Sequence, residues 1–262
     1  MKFWITVWIF CRASIVIGTP ILGGVDAEYR QYKYQVSLRE LIINDRHCQH
    51  FCGGSIISNS WILTAAHCVD NSRIEKDIRR IQIVAGITYL SDVGDTYFVK
   101  SCAIHEHWNK KRICNDIAVL ETTRKIQFSS AVRPIPLATH NPPENTITTL
   151  TGWGYISDDV GLDTVPIAHT LQVAHFEMIS LQDCRKQFND AKYPGRLVIQ
   201  SNICIAQPAA TGQCNGDSGA ALTVNGTQIG IVSFGGQCGE GLPGVLASVA
   251  VFLNWIKEKT GS

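Results

Sequence analysis

No basic or acidic run in this 262-residue chain exceeds a few residues, and 23 lysines and arginines balance 22 aspartates and glutamates. A surface field of one sign is therefore missing, which excludes binding to nucleic acid or to a membrane surface by charge. Beyond the N-terminus no segment approaches the roughly 18 continuous apolar residues of a membrane span, so a soluble mature protein is expected. No C-x-x-C pair occurs among the ten cysteines. Metal binding therefore fits badly, and neither a metal nor a cofactor is expected. Alternating strand and helix patterns are missing too, which argues against a parallel α/β sheet. Repeats and low-complexity linkers are absent. Charged residues make up only 17% of the chain against 45% hydrophobic, enough apolar material for a sizeable core.

What is present begins with Lys2 and a short apolar run, Phe3 to Cys11, interrupted by Arg12 and resumed by Ala13 to Gly18. This reads as a signal peptide over residues 1–18. Its removal takes Cys11 and leaves nine cysteines, which fit disulfides formed in an oxidising, extracellular compartment. Short β-type runs dominate the rest: Ser55 to Thr64, Ile81 to Ala85, Ile117 to Leu120, Thr146 to Thr151 and Gln228 to Phe234, with Gly, Pro, Asn and Asp between them. One helix is expected from Val249 to Lys259, where Phe252, Trp255 and Ile256 share a face. A second, shorter one is suggested from Ser180 to Phe188, with Ser180 as N-cap and Asp183 three residues on.

Three motifs carry chemistry: Leu63-Thr64-Ala65-Ala66-His67-Cys68, Asn115-Asp116-Ile117-Ala118-Val119-Leu120 and Gly216-Asp217-Ser218-Gly219. Each alone could be a packed histidine or an ordinary turn; all three in this order by chance is very improbable. With Ile21-Leu22-Gly23-Gly24, Phe51-Cys52-Gly53-Gly54-Ser55, Gly152-Trp153-Gly154, Ser233-Phe234-Gly235 and Pro243-Gly244-Val245, they make the chain resemble the chymotrypsin/trypsin family of serine proteases from Ile21 to about Ile256. The resemblance implies an all-β fold of two six-stranded antiparallel β-barrels and a C-terminal α-helix. The protease domain would cover residues 21–262, divided near 124–133. It implies a secreted endopeptidase that works alone as a monomer on protein or peptide substrates and meets proteinaceous inhibitors.

By the same resemblance His67, Asp116 and Ser218 form the catalytic triad. His67 takes the Ser218 proton and later passes it to the leaving amine, while Asp116 holds the imidazole. The backbone N–H groups of Gly216 and Ser218 form the oxyanion hole. Asp217 pairs with the α-ammonium of Ile21 once the chain is cut before it, making the enzyme a zymogen. Thr19-Pro20 forms a short pro-segment where many relatives carry Arg or Lys; either a dipeptidyl peptidase or an unknown protease acting on a longer segment would expose Ile21.

The implied primary pocket comprises Gly212 at its floor with Ser233, Gly235 and Gly244. No carboxylate lies between Thr211 and Asn215 to pair with Arg or Lys, so an open, uncharged slot and cleavage after large apolar or aromatic residues are expected. Glu240, near that loop, is read as solvated. The family pattern implies disulfides Cys52–Cys68, Cys184–Cys204 and Cys214–Cys238. Proximity and count suggest Cys102–Cys114, leaving Cys48 free or paired between chains. Ala220 stands where the family commonly has Gly, which requires an allowed backbone geometry or a small shift. Asn225-Gly226-Thr227 is a glycosylation sequon expected at a hairpin tip, and Asp92 with Asp95 reads as a turn rather than a calcium site. Two rivals are weighed: a non-catalytic homologue acting as a binding or cascade protein, and another serine hydrolase such as an esterase. The second conflicts with the His-Asp-Ser order and the incomplete G-x-S-x-G pattern.

Overall fold

The computed structural model describes residues 20–42, 47–70, 77–155, 167–193 and 195–261. The expected signal peptide and Thr19 lie outside the described residues. After a one-turn helix α1 (Pro20–Gly23) and a two-residue strand β1 (Val25–Asp26), six strands close into an antiparallel barrel. They are β2 (Gln35–Ile42), β3 (His47–Ile56), β4 (Trp61–Thr64), β5 (Ile81–Ala85), β6 (Asp95–Ile104) and β7 (Ala118–Thr122), in the order β2-β3-β4-β7-β6-β5. Val36, Leu38, Ile62, Ile83, Val99 and Leu120 fill its interior, all fully buried. Each is worth about 1.5–3 kcal/mol by removal from water.

The run Ser55 to Thr64 was expected as one strand; the structure breaks it into the end of β3 and all of β4. Ser58-Asn59-Ser60 bend the chain back, with Ile57 N–H on the Trp61 carbonyl (3.0 Å) and Ser60 N–H on Ser58 Oγ (3.3 Å). Ser and Asn side chains satisfy turn backbone locally, and here they outweigh the apolar residues on either side.

Six further strands make a second closed ring: β8 (Ile147–Gly152), β9 (Gln172–Ile179), β10 (Asn202–Ile205), β11 (Ala221–Val224), β12 (Thr227–Phe234) and β13 (Gly244–Ser248). The order is β9-β10-β13-β12-β11-β8, closed by β8 on β9, with β1 added at the start of β9. The two expected barrels are thus present. At the β11–β12 hairpin, Asn225 (φ 48°) and Gly226 (φ 74°) form the left-handed two-residue turn that suits a twisted ribbon.

Among the helices, α2 (Ala66–Val69) is one turn long. In α3 (Leu181–Asp190) Ser180 Oγ accepts from Asp183 N–H at 2.9 Å, as the cap pattern predicts. Helix α4 (Val249–Thr260) is capped by Ser248 and closed by Gly261 at φ 68°. It lays Val249, Phe252, Trp255 and Ile256 on the core, and Trp255 Nε1–H donates to Glu106 at 2.8 Å.

Buried hydrogen bonds lock one barrel to the other: Ser55 Oγ–H to Gln228 Oε1 (2.7 Å), Thr151 Oγ1–H to Gln35 Oε1 (3.0 Å) and Gly53 N–H to the Ser218 carbonyl (2.7 Å). Three disulfides form: Cys52–Cys68, Cys184–Cys204 and Cys214–Cys238. The suggested Cys102–Cys114 bridge does not; both are free thiols, as is Cys48. Cys102 is exposed on β6 opposite Leu120, whereas Cys114 is buried in a tight turn against Asn109, its Sγ 3.7 Å from the Arg112 carbonyl. Nearness in sequence does not aim the two sulfurs at each other.

Candidate active site

His67 stands on α2, directly after β4, and its neighbour Cys68 is bonded back to Cys52 on β3. Asp116 lies just before β7 and is fully buried. Its carboxylate is saturated with donors. Oδ1 accepts the His67 backbone N–H at 2.9 Å; Oδ2 accepts His67 Nδ1–H at 2.7 Å and Ser233 Oγ–H at 2.5 Å. A carboxylate can only accept, so Nδ1 carries the proton and Nε2 is left as the basic nitrogen. Burial alone would depress the His67 pKa. The charge and hydrogen bond of Asp116 outweigh that, against a smaller opposing effect of Arg196, and the imidazole titrates above its ordinary value.

Ser218 arrives from the second barrel, in the turn before β11, and shares with His67 a cleft of about 730 Å³. Among the described residues no hydrogen bond joins its hydroxyl to His67; contacts of this kind commonly tighten only when substrate docks. The turn is held against the first barrel by Gly219 (φ 78°). A Cβ there would strike Thr64 Oγ1 and lie 2.6 Å from the Gly53 carbonyl.

Two peptide planes beside Ser218 are fixed from behind. The Asn215 carbonyl accepts Tyr155 N–H at 2.7 Å, and the Asp217 carbonyl accepts Ala220 N–H at 3.0 Å. Across a trans peptide the N–H points opposite to its carbonyl. The N–H groups of Gly216 and Ser218 are therefore turned away from these bonds, and among the described residues neither has an acceptor. Gly216 reaches this geometry at φ 97°, which suits glycine. Ala220 sits in the tight segment without a positive φ, so the allowed geometry it needed is met.

The Gly216 carbonyl is held by a residue the sequence reading passed over. His50, on β3, donates Nε2–H to it at 3.0 Å and accepts Ser37 Oγ–H on Nδ1 at 2.8 Å; Ser37 Oγ in turn accepts Arg39 Nε–H at 3.2 Å. Burial pushes the His50 pKa down to about 4; the bond to Gly216 opposes this and the Arg39 charge adds to it. Asp217 is buried as well. Its oxygens accept Gly154 N–H (2.8 Å) and Cys214 N–H (2.9 Å), and burial drives its pKa up to about 7 against those bonds. Ile21 is joined to Pro20 here, with its side chain fully buried in the second barrel's core, in the cluster that also holds Ala220 and Leu150.

Residues 21–256 match the Trypsin family. The chain belongs to that family. It is 35% identical to "Chymotrypsin-2" of Vespa crabro (91% of this chain, 99% of the relative). It is 34% identical to "Trypsin" of Sarcophaga bullata (92% and 88%) and 35% identical to "Brachyurin" of Leptuca pugilator (92% and 99%). This trypsin-family chain is a serine endopeptidase, with peptide substrates, and its three disulfides fit an oxidising compartment.

The pocket residues expected from sequence separate in the structure. Ser233 and Gly235 line the cleft; Gly212 and Gly244 do not. A Cβ on Gly212 would lie 2.8 Å from Gln207 Oε1, and one on Gly244 would lie 2.6 Å from Gln207 Nε2 and 3.0 Å from Gln213 Oε1. The Gln207 carboxamide thus packs against Gly212 and Gly244, and Gln213 lines the cleft, where an open slot was expected. Ser233 does not present its hydroxyl as a pocket group, because the hydroxyl is spent on Asp116. Among the described residues no carboxylate lines the cleft, and Arg196 is a cation there. Glu240 is an exposed loop residue that accepts Gln237 N–H at 2.8 Å. Cys52, His67 and Cys68 lie within 4.8 Å of one another, but the two sulfurs are bonded together and offer no thiolate to a metal. Gln207 left no signal in the sequence, because nothing local places it beneath Gly212.

Proposed function

We propose that this endopeptidase hydrolyses peptide bonds through an acyl-enzyme formed on Ser218. His67 Nε2 takes the serine proton as the hydroxyl attacks the carbonyl and returns it to the leaving amine; a water then repeats the sequence in reverse. Asp116 fixes the tautomer and stabilises the imidazolium. The negative oxygen of the tetrahedral intermediate rests on the N–H groups of Gly216 and Ser218. The observation that supports this most directly is the pair of unengaged N–H groups sharing a cleft with an aspartate-held imidazole.

Among the described residues the cleft offers Arg or Lys no carboxylate partner, so cleavage falls after large uncharged side chains, apolar or aromatic. Residues 1–18 direct secretion, and activity follows release of Ile21. Its new ammonium pairs with Asp217, whose buried carboxylate is otherwise costly to ionise. Asn225, exposed at the β11–β12 turn, is the glycosylation site. Two assays test the reading. Protein starting at Ile21 should react with a serine-directed fluorophosphonate at Ser218 and cleave mixed peptides after uncharged residues. Failure of labelling would remove the nucleophile; cutting after Arg or Lys would remove the pocket assignment.

A further inference from the structure

Two short basic segments, far apart in the sequence, meet at one rim of the cleft. Residues 107–115 carry Lys110, Lys111 and Arg112, residues 191–200 carry Lys192 and Arg196, and neither stretch contains an aspartate or glutamate. The segments touch: Ser201 Oγ–H donates to Asn115 Oδ1 at 3.3 Å, and Gly195 packs near the Lys111 carbonyl. Lys110 pairs with Asp70, whereas Lys111, Arg112, Lys192 and Arg196 are exposed and form no ion pair among the described residues. Arg196 reaches the cleft itself. It lines the wall with Ile113 and Tyr193, its guanidinium carbon lies 5.8 Å from the centre of the Phe234 ring, and its charge is felt at His67. Contact with a ring leaves the N–H fork of the guanidinium unspent.

Resting on the protease reading above, we infer that Arg196, backed by Lys111, Arg112 and Lys192, makes the enzyme prefer an acidic side chain two to four residues before the cut. The catalytic groups set that position. The residue before the cut enters the primary pocket beside Gly235, with its carbonyl on the N–H groups of Gly216 and Ser218. The departing half leaves past Gly216 into the adjoining hollow of Glu40, His50, Phe51 and Tyr155, which Arg196 does not line. Arg196 therefore flanks the half that precedes the cut. A carboxylate there takes the guanidinium fork in two parallel hydrogen bonds, and the neighbouring cations add attraction at longer range. Because this rim is open to water, the preference is a few-fold in rate rather than orders of magnitude.

The test is kcat/KM of protein starting at Ile21, in low salt, on peptides that share the residue before the cut. They differ only by glutamate against its isostere glutamine at the second, third or fourth position before it. At one of these positions glutamate should win by about fivefold, and the ratio should shrink toward one in about 1 M NaCl. Arg196→Glu should bring the ratio to one or below. Each ratio is read within one protein, so a general loss of rate in the variant cancels, and the salt series needs no variant. Ratios below twofold at all three positions, a ratio that salt leaves unmoved, or one that stays above twofold in Arg196→Glu overturn the inference and leave the protease intact. No cleavage of any peptide together with no fluorophosphonate labelling overturns both.

Discussion

His50 gives the sharpest quantitative test, because one buried ring links the fold to the oxyanion hole. Its Nδ1 faces a hydroxyl that already accepts from Arg39, and its Nε2–H is fixed on the Gly216 carbonyl. A second proton would set a buried cation beside the Arg39 guanidinium. The folded state therefore refuses the proton until about pH 4, while an unfolded histidine takes it near 6.5. The sign follows: between these values the unfolded chain binds more protons, so stability is fully present above 6.5 and is lost as the pH falls toward 4. At about 1.4 kcal/mol per pH unit the loss reaches roughly 3 kcal/mol. Urea unfolding followed by tryptophan fluorescence, in a Ser218→Ala background to prevent self-digestion, measures it against His50→Gln, which keeps a donor but cannot titrate. Near pH 7 the glutamine protein should be less stable by about 1–2 kcal/mol through poorer geometry. Near pH 4.5 that gap should close or reverse. A gap unchanged to within about 0.5 kcal/mol across this range, smaller than the effect of one lost hydrogen bond, would refute the assigned tautomer and burial.

Three further expectations follow from the site. Because Asp116 raises the His67 pKa, and only the neutral ring accepts the serine proton, kcat/KM should fall on acidification with a midpoint above 6.5; a midpoint at or below that value contradicts the pairing. Ser233→Ala removes one of three donors to the Asp116 carboxylate and should lower kcat/KM about tenfold, at about the worth of one charge-assisted bond, with little change in Tm; full activity would show the bond to be idle. Gly219→Ala combines a φ of 78° with a Cβ 2.6 Å from the Gly53 carbonyl, and should cost at least about 2 kcal/mol by thermal unfolding and most of the activity. A protein of unchanged Tm would mean the turn can move aside.

Much of the architecture was readable because it is decided locally. Ser180 followed by Asp183 caps α3 whatever surrounds it, and Asn225-Gly226 forms a left-handed turn because those residues tolerate positive φ. The apolar face of α4 recurs at helical spacing wherever the helix is docked. His67, Asp116 and Ser218 were legible because each sits inside its own short motif. The Ser55–Thr64 run shows the limit: apolar pattern marked a strand, but three turn-forming residues inside it decided that it was two.

Other features depend on where barrel closure puts residues far apart in the chain. Ser233 reaches Asp116 across 117 positions, and His50 reaches Gly216 across 166. Gln207 underlies Gly212 and Gly244 only because β10, which it follows, is paired with β13. Cys102 and Cys114 part because strand alternation and a tight turn send neighbouring sulfurs in different directions. The amino-acid order determined which residues could do chemistry and which segments would pleat or coil, since backbone preference and side-chain reactivity belong to each residue and its immediate neighbours. Which side chains meet across the barrels was decided by strand register, because a one-residue slip sends every side chain of a strand to the opposite face.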